Sequence, residues 1–255
     1  LIPVGSINLH HEPDQFYSVH RPVMYKHVVP STWMETGMGI FGEVPAVEGL
    51  SYMLYASSGI SSAYATHDTA GSWKICDTRP SLREKDGNDS LAWSARFAYQ
   101  HGGFAGSAST YLTDYKRSNG NSTNLQLFDI EGSYRFPRGL LKNFELIADY
   151  AFWNIDDPTV TGDNQVGDRA DGYRLELAYH QAAGTNELIP FIRAEGYDLS
   201  SNGSYTGFSE GASHNYLTYG IMYKMGTSME VKASLRQSLD DDDQTEFSLG
   251  VGFQF

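Results

Sequence analysis

Apolar and polar residues alternate without interruption along the last ten residues of the chain, from Glu246 to Phe255, within the stretch that begins at Gln244. One set of alternate positions is apolar and comprises Phe247, Leu249, Val251, Phe253 and Phe255. The positions between them are small or polar and comprise Glu246, Ser248, Gly250, Gly252 and Gln254. Successive side chains of a β-strand point to opposite faces, so the stretch predicts a strand with one apolar and one wet face. A soluble all-β sandwich shares this pattern, and a membrane β-barrel is the interpretation favoured here.

Similar alternation, bounded by turn residues, predicts about twelve strands in one all-β antiparallel domain over residues 1–255. The predicted strands are Leu1–Asn8, Glu35–Val44, Leu50–Ser57, Leu91–Gln100, Phe104–Lys116, Asn124–Phe136, Phe144–Asn154, Gly172–His180, Leu188–Leu199, Asn215–Met225, Met229–Leu239 and Thr245–Phe255. Short and long connections alternate between them, as expected for a transmembrane barrel with tight periplasmic turns and long outer loops. This order places Phe255 and Leu1 at the periplasmic side.

Most charged residues of the strands fall on the face opposite to the apolar one. A dry core could not hold so many unpaired ions, so the interior is predicted to be wet or to contain ion pairs. A mixed-charge interior with small residues favours an aqueous passage, and a closed barrel with an internal salt-bridge network is the alternative. The predicted pore-lining residues are Arg96, Asp129, Glu131, Arg135, Arg174, Glu176, Arg193, Glu195, Lys224, Glu230, Lys232 and Arg236.

Composition narrows the class of protein. The 17 Tyr, 13 Phe, 4 Trp and 26 Gly suit a barrel with aromatic girdles at two membrane interfaces. No run of residues approaches the roughly 18 apolar positions that a spanning helix needs. A net charge of -13 argues against nucleic acid as a partner, because binding to phosphates requires a basic face.

The first forty residues resemble bacterial porins of the phosphate-selective O/P-like superfamily. The matching positions are Gly5, Ile7, Asn8, His11, Glu12, Pro13, Phe16, Arg21, Pro22, Val28, Val29, Pro30, Ser31, Thr32, Trp33 and Gly37, whereas Asp14 replaces the family's usual second proline. The aromatic carboxy terminus is also similar to the ending of bacterial outer-membrane barrels. The resemblance implies that strands precede Leu1, so that the twelve would be the carboxy-terminal part of a sixteen-stranded barrel. It also implies a trimer, although no stretch of this chain identifies a subunit contact.

The long loop from Leu9 to Met34 is predicted to narrow the pore if it folds inward. Glu12, Arg21 and Lys26 would then set the local electric field as constriction-loop residues. Phosphate selectivity is not expected, because the inward charges of the strands are mixed and an anion filter needs clustered Arg or Lys.

Two other kinds of chemistry have weaker support. His10, His11, Glu12, His20 and His27 share this loop, but their spacing matches no familiar ligand pattern, and neither a metal nor a cofactor is predicted. Ser213 and His214 point to opposite faces of a predicted strand and are poor partners for nucleophilic catalysis. The chain is therefore not predicted to be an enzyme.

The function predicted from the sequence is passive diffusion of small hydrophilic solutes or ions through a porin in the outer membrane of a Gram-negative bacterium. The predicted partners are outer-membrane lipid and the solute, together with a homotrimer or a larger envelope complex. A non-conducting scaffold barrel that docks or sheathes a partner protein is the first alternative, and an outer-membrane hydrolase is the second.

Overall fold

A computed structural model describes residues 1–10, 12, 15–60, 90–116, 122–156, 169–199, 213–240 and 244–253. Its strands are β1 (Gly37–Glu43), β2 (Leu50–Ser58), β3 (Leu91–His101), β4 (Phe104–Lys116), β5 (Ser122–Arg135), β6 (Phe144–Ile155), β7 (Arg169–Tyr179), β8 (Gln181–Ala183), β9 (Asn186–Asp198), β10 (Ser213–Met225), β11 (Met229–Ser238) and β12 (Thr245–Phe253). Two single helical turns, α1 (Ser6–Leu9) and α2 (Met24–His27), precede the strands. No helix in these ranges is long and apolar enough to cross a membrane.

All the strands belong to one antiparallel sheet, which confirms the predicted all-β antiparallel fold. The strands follow one another in sequence order from β1 to β12, except that the short β8 pairs only with β9. Short connections join β1 to β2, β3 to β4, β5 to β6 and β10 to β11, whereas longer ones join β2 to β3, β6 to β7 and β9 to β10. The connections from β4 to β5 and from β11 to β12, predicted on the long side, are as short as those on the short side, so the predicted alternation is present only in part.

One predicted strand is wrong. Residues Leu1–Asn8 do not pair with the sheet, because the chain turns helically at Ser6 and its apolar side chains are buried together. The Asn8 side chain stabilises this arrangement: its Nδ2 donates to the Ile2 carbonyl at 2.7 Å, and its Oδ1 accepts from the Trp33 amide at 2.6 Å. Leu1 consequently does not begin a spanning strand. The twelfth strand is instead β8, within a stretch that the sequence predicts to be a turn.

One face of the sheet is apolar and exposed on strand after strand. Leu146 pairs with Leu177 across β6 and β7, and Phe128 pairs with Phe152 across β5 and β6, so the apolar positions stay in phase. Leu249 on β12 is 69% exposed. Surface of this kind, continuous over many strands, is unusual for a soluble monomer. The predicted carboxy-terminal Phe255 lies outside the described residues.

The opposite face of the sheet is covered over much of its area by the amino-terminal segment, which we define as the described residues of 1–34. Its apolar side chains, including Met24, Val28 and Trp33, are buried against strand residues such as Leu127 and Trp153. Trp33 contacts the Tyr111 ring of β4 at a centroid distance of 4.4 Å. The segment therefore lies on the inner face of the sheet, as predicted for the case in which the first loop folds inward.

Candidate functional site

A polar cavity of about 860 Å³ lies on the inner face, toward the short-connection end of the sheet. The amino-terminal segment contributes Ser6, His10, Gln15 and Tyr17 to its lining. The charged strand and turn residues that line it are Glu43, Arg96, Glu131, Arg135, Glu145, Asp149, Arg174, His180, Glu187 and Lys224. The strand residues among them come from β1, β3, β5, β6, β7, β9 and β10, so the cavity depends on assembly of the sheet from β1 to β10.

Glu131 anchors the amino-terminal segment to the cavity wall. Its carboxylate accepts hydrogen bonds from the Ser6 amide at 2.5 Å, from the Tyr25 hydroxyl, and from Arg96 and Ser107 at 3.0 Å each. Complete burial raises the pKa of Tyr25 well above its ordinary value, so the phenol keeps its proton and remains a donor. The pairing with Arg96 compensates the cost of burying this carboxylate.

A second set of ion pairs crosses the middle of the inner face. Arg174 on β7 contacts Asp149 at 2.5 Å and Glu176 at 3.4 Å, and Arg193 on β9 contacts Glu195 at 3.0 Å and Glu176 at 3.9 Å. The side chains of this set are almost wholly inaccessible to solvent. The alternating carboxylates and arginines form a continuous chain of opposite charges across β6, β7 and β9.

The amino-terminal segment is also bonded to this chain of charges and to strands farther along. The Val23 amide donates to Glu195 at 2.8 Å. Lys232 on β11 pairs with Glu230 at 3.1 Å, donates to the Phe16 carbonyl at 2.5 Å, and lies 4.6 Å from the centroid of the Phe16 ring. Charged strand residues therefore satisfy backbone groups of a segment that has little regular structure of its own.

The short-connection end of the cavity holds a separate cluster around His180. The imidazole Nε2 lies 2.8 Å from Glu145, and Nδ1 lies 2.9 Å from Glu187. Arg135 contacts the same Glu187 at 3.1 Å. From the amino-terminal segment, the Tyr17 hydroxyl donates to Glu145 at 2.7 Å. Burial raises the pKa of Tyr17, so its hydroxyl also stays protonated.

The predicted pore-lining residues do not all reach this cavity. Arg96, Glu131, Arg135, Arg174 and Lys224 line it. The remaining residues lie elsewhere on the inner face and are Asp129, Glu176, Arg193, Glu195, Glu230, Lys232 and Arg236. Nine of the twelve predicted residues are buried, so the ion-paired form of the interior, one of the two predicted forms, describes most of this face.

The three predicted constriction-loop residues are dispersed. Glu12 and Lys26 are exposed, and Arg21 is half-buried and hydrogen-bonded to the Ser31 hydroxyl. None of the three is among the residues that line the polar cavity. Their influence on a passing solute stays a prediction.

Glu145, His180 and Glu187 are absent from the predicted site residues, as is Tyr17. Alternation along β6 places Glu145 on the inner face, so the signal for that residue is present in the sequence. His180 ends the predicted strand Gly172–His180, so alternation also places it inward. Glu187 lies on β9 but falls between two predicted strands, where the sequence gives no period-of-two signal. Tyr17 carries no such signal, because its position depends on the path of an irregular segment.

No protein-family model matches the chain. The chain is 26% identical over 250 residues to an uncharacterized protein of Aquifex aeolicus (strain VF5), an alignment that covers 91% of this chain and 55% of that protein. The chain thus spans about half the length of this relative.

Among solved structures, the chain is similar to a porin refined at 1.8 Å resolution. The TM-score is 0.48 and the sequence identity 13%, over 87% of this chain and 63% of that porin. Membership of the phosphate-selective O/P-like superfamily stays a prediction.

Proposed function

We propose that this protein is part of a β-barrel channel in the bacterial outer membrane, and that its polar cavity belongs to a passage for small hydrophilic solutes or ions. The observation that carries the proposal is the contrast between the two faces of one sheet. Large apolar side chains are exposed on one face, and charged residues with a polar cavity occupy the other. A barrel with lipid outside and water inside requires an apolar outer face and a polar inner face on every strand.

The exposed face supports a bilayer as the surrounding medium. Outward positions near strand centres carry both aliphatic side chains, such as Leu175 and Leu249, and aromatic ones, such as Tyr219, and exposed Tyr99, Tyr134 and Phe104 lie close to the short-connection end. Aromatic side chains at that level match the girdle of an outer-membrane barrel. A homotrimer remains a further prediction.

The charges around the cavity support a passage of low selectivity. Its lining contains the bases Arg96, Arg135, Arg174 and Lys224 and the acids Glu43, Glu131, Glu145, Asp149 and Glu187. Three ion pairs join Arg96 to Glu131, Arg135 to Glu187 and Arg174 to Asp149. A cluster of unpaired bases, which an anion filter needs, is not found among the described lining residues. We therefore propose neutral solutes or cations rather than phosphate as the permeant class.

Single-channel recording in a planar lipid bilayer tests this function. The wild-type chain should give stepwise conductance, and Ala98→Trp should lower it by placing a large ring at a cavity-lining position. Phe97→Trp is the matched control, because Phe97 lies next in the chain on the exposed face. Equal conductance of the two variants would show that ions do not pass through this cavity.

A second candidate function is a non-conducting scaffold barrel. The observation that favours it is the amount of interior taken up by the amino-terminal segment, whose residues Val4, Met24 and Val28 are completely buried. A scaffold predicts no conductance from the wild-type chain under any condition, and co-purification of a partner protein. The same bilayer recording therefore distinguishes the two functions.

A further inference from the structure

His180 stands between two carboxylates on the wall of the polar cavity. It is 5% exposed, with Nε2 2.8 Å from Glu145 and Nδ1 2.9 Å from Glu187. An ionised carboxylate can only accept hydrogen bonds, so each ring nitrogen has to donate to satisfy both contacts. Neutral imidazole has one N–H, whereas imidazolium has two. The observed geometry therefore matches the protonated ring.

Charged and titratable groups face His180 from each element packed around it. They are Glu145 at the start of β6, Glu187 on β9, Arg135 at the end of β5, Lys224 opposite Glu187 on β10, and Tyr17 on the amino-terminal segment. Arg135 contacts Glu187, so that carboxylate has a basic partner besides the ring. For Glu145 the contacting partners are the ring and the neutral hydroxyl of Tyr17.

Loss of the ring proton would affect the two carboxylates differently. The remaining proton on Nδ1 can keep the bond to Glu187, and the lone pair of Nε2 then faces Glu145. The Tyr17 hydroxyl lies 3.1 Å from Nε2 and 2.7 Å from Glu145, so it can donate its single proton to only one of these two acceptors at a time. Glu145 would lose the positive charge in contact with it, although Arg135 stays opposite it on β5, and the cavity would gain one net negative charge.

We propose that His180 determines the charge selectivity of the cavity, and that release of its proton makes Glu145 available to passing cations. This inference rests on the proposed channel function. It adds monovalent cations as the permeant class and pH as the factor that regulates charge selectivity. It does not require the amino-terminal segment to move, because the change is one of charge at the cavity wall.

Reversal potentials across a KCl gradient, recorded in planar bilayers between pH 5 and pH 8, test the inference. The ratio of potassium to chloride permeability should rise with pH by about fivefold, because one unit charge some 8 Å from an ion in water favours potassium and disfavours chloride by a little over twofold each. His180→Gln has no charge to lose, so its ratio should be high and independent of pH. Glu145→Gln removes the carboxylate that the proposal exposes to cations, so its ratio should stay below that of the wild type across the whole pH range.

Two further histidine variants sharpen the test. His101→Gln is the matched control, because His101 ends β3 and does not line the cavity, and it should keep the wild-type pH dependence. His10 does line the cavity. If His10→Gln removes the pH dependence while His180→Gln retains it, the assignment to His180 is wrong.

The outcomes separate this inference from the function on which it rests. Conductance with a permeability ratio that does not change with pH would overturn the role of His180 and leave the channel function standing. Absence of any conductance from the wild-type chain would overturn both.

Discussion

The Tyr25 hydroxyl on α2 donates a hydrogen bond to Glu131 on β5, across 106 positions of sequence. This contact joins the amino-terminal segment to the same carboxylate that holds Arg96 and lines the cavity. A helical turn as short as α2 is not stable in water without tertiary contacts. The bond to Glu131 and the surrounding apolar contacts therefore hold that turn on the sheet.

Tyr25→Phe should destabilise the folded chain by about 1.5–3 kcal/mol, because it removes a hydrogen bond to a buried charged group. Urea unfolding in detergent micelles, followed by tryptophan fluorescence, measures the change. Tyr219→Phe is the control, since Tyr219 is exposed on the opposite face of the sheet. A loss of stability no larger than that of the control would mean that the contact contributes nothing.

Arg193→Leu should lower the free energy of unfolding by about 3–5 kcal/mol, because it leaves Glu176 and Glu195 buried without the positive charge between them. Arg135→Leu breaks a partly exposed pair with Glu187 and should cost about 1 kcal/mol or less. Both variants are compared with the wild type in the same urea titration. The prediction fails if the two arginine substitutions have equal effects.

Leu249→Arg distinguishes a bilayer from water around the exposed face. In lipid the substitution should lower the free energy of unfolding by about 2–4 kcal/mol, since the residue lies near the middle of β12. Thr245→Arg, at the long-loop end of the same strand and face, should cost only about 0–1 kcal/mol. Unfolding from liposomes gives both values.

In water the result for Leu249→Arg would be different. The side chain is 69% exposed, and substitutions at such positions usually change stability by about 0.5 kcal/mol or less. A negligible effect measured in liposomes would therefore argue against the proposed membrane location.

Gly172→Ala should lower stability by about 1–3 kcal/mol through overpacking. A Cβ atom at this position on β7 would lie 2.8 Å from the Cβ of Met24 and 3.1 Å from a methyl group of Val28, so α2 would have to shift. Gly132→Ala is the control, because its nearest described neighbour would be 3.9 Å away, an ordinary contact. Thermal unfolding gives the melting temperatures of the two variants. A melting temperature of Gly172→Ala no lower than that of Gly132→Ala would show that α2 does not pack against β7 as described.

The strands were predictable because their signal is local. Alternation in β12 or β7 needs only one apolar face and one polar face, and eleven strands lie close to where that pattern places them. The Leu1–Asn8 stretch has apolar residues as well, but Ile2, Val4 and Ile7 are all buried in one cluster. Contacts with distant residues, not an intrinsic preference, decide its conformation.

The site was predictable only in part, because contacts with residues distant in sequence determine which of its side chains are buried. The inward position of Arg96 or Glu131 follows from the period of two. Burial of these charges does not, because it depends on a covering segment that lies about a hundred positions away in sequence. The contacts of Tyr17 with Glu145 and His180 are equally remote, at separations of 128 and 163 residues.

The long reach of the amino-terminal segment also constrains the order of folding. Its residues contact Glu131 on β5, Glu195 on β9, Lys232 on β11 and Ser248 on β12. The amino-terminal segment thus has partners as far along the chain as β12. Loops of this size close slowly, so completion of the interior is expected to follow assembly of the sheet and to be the late step of folding.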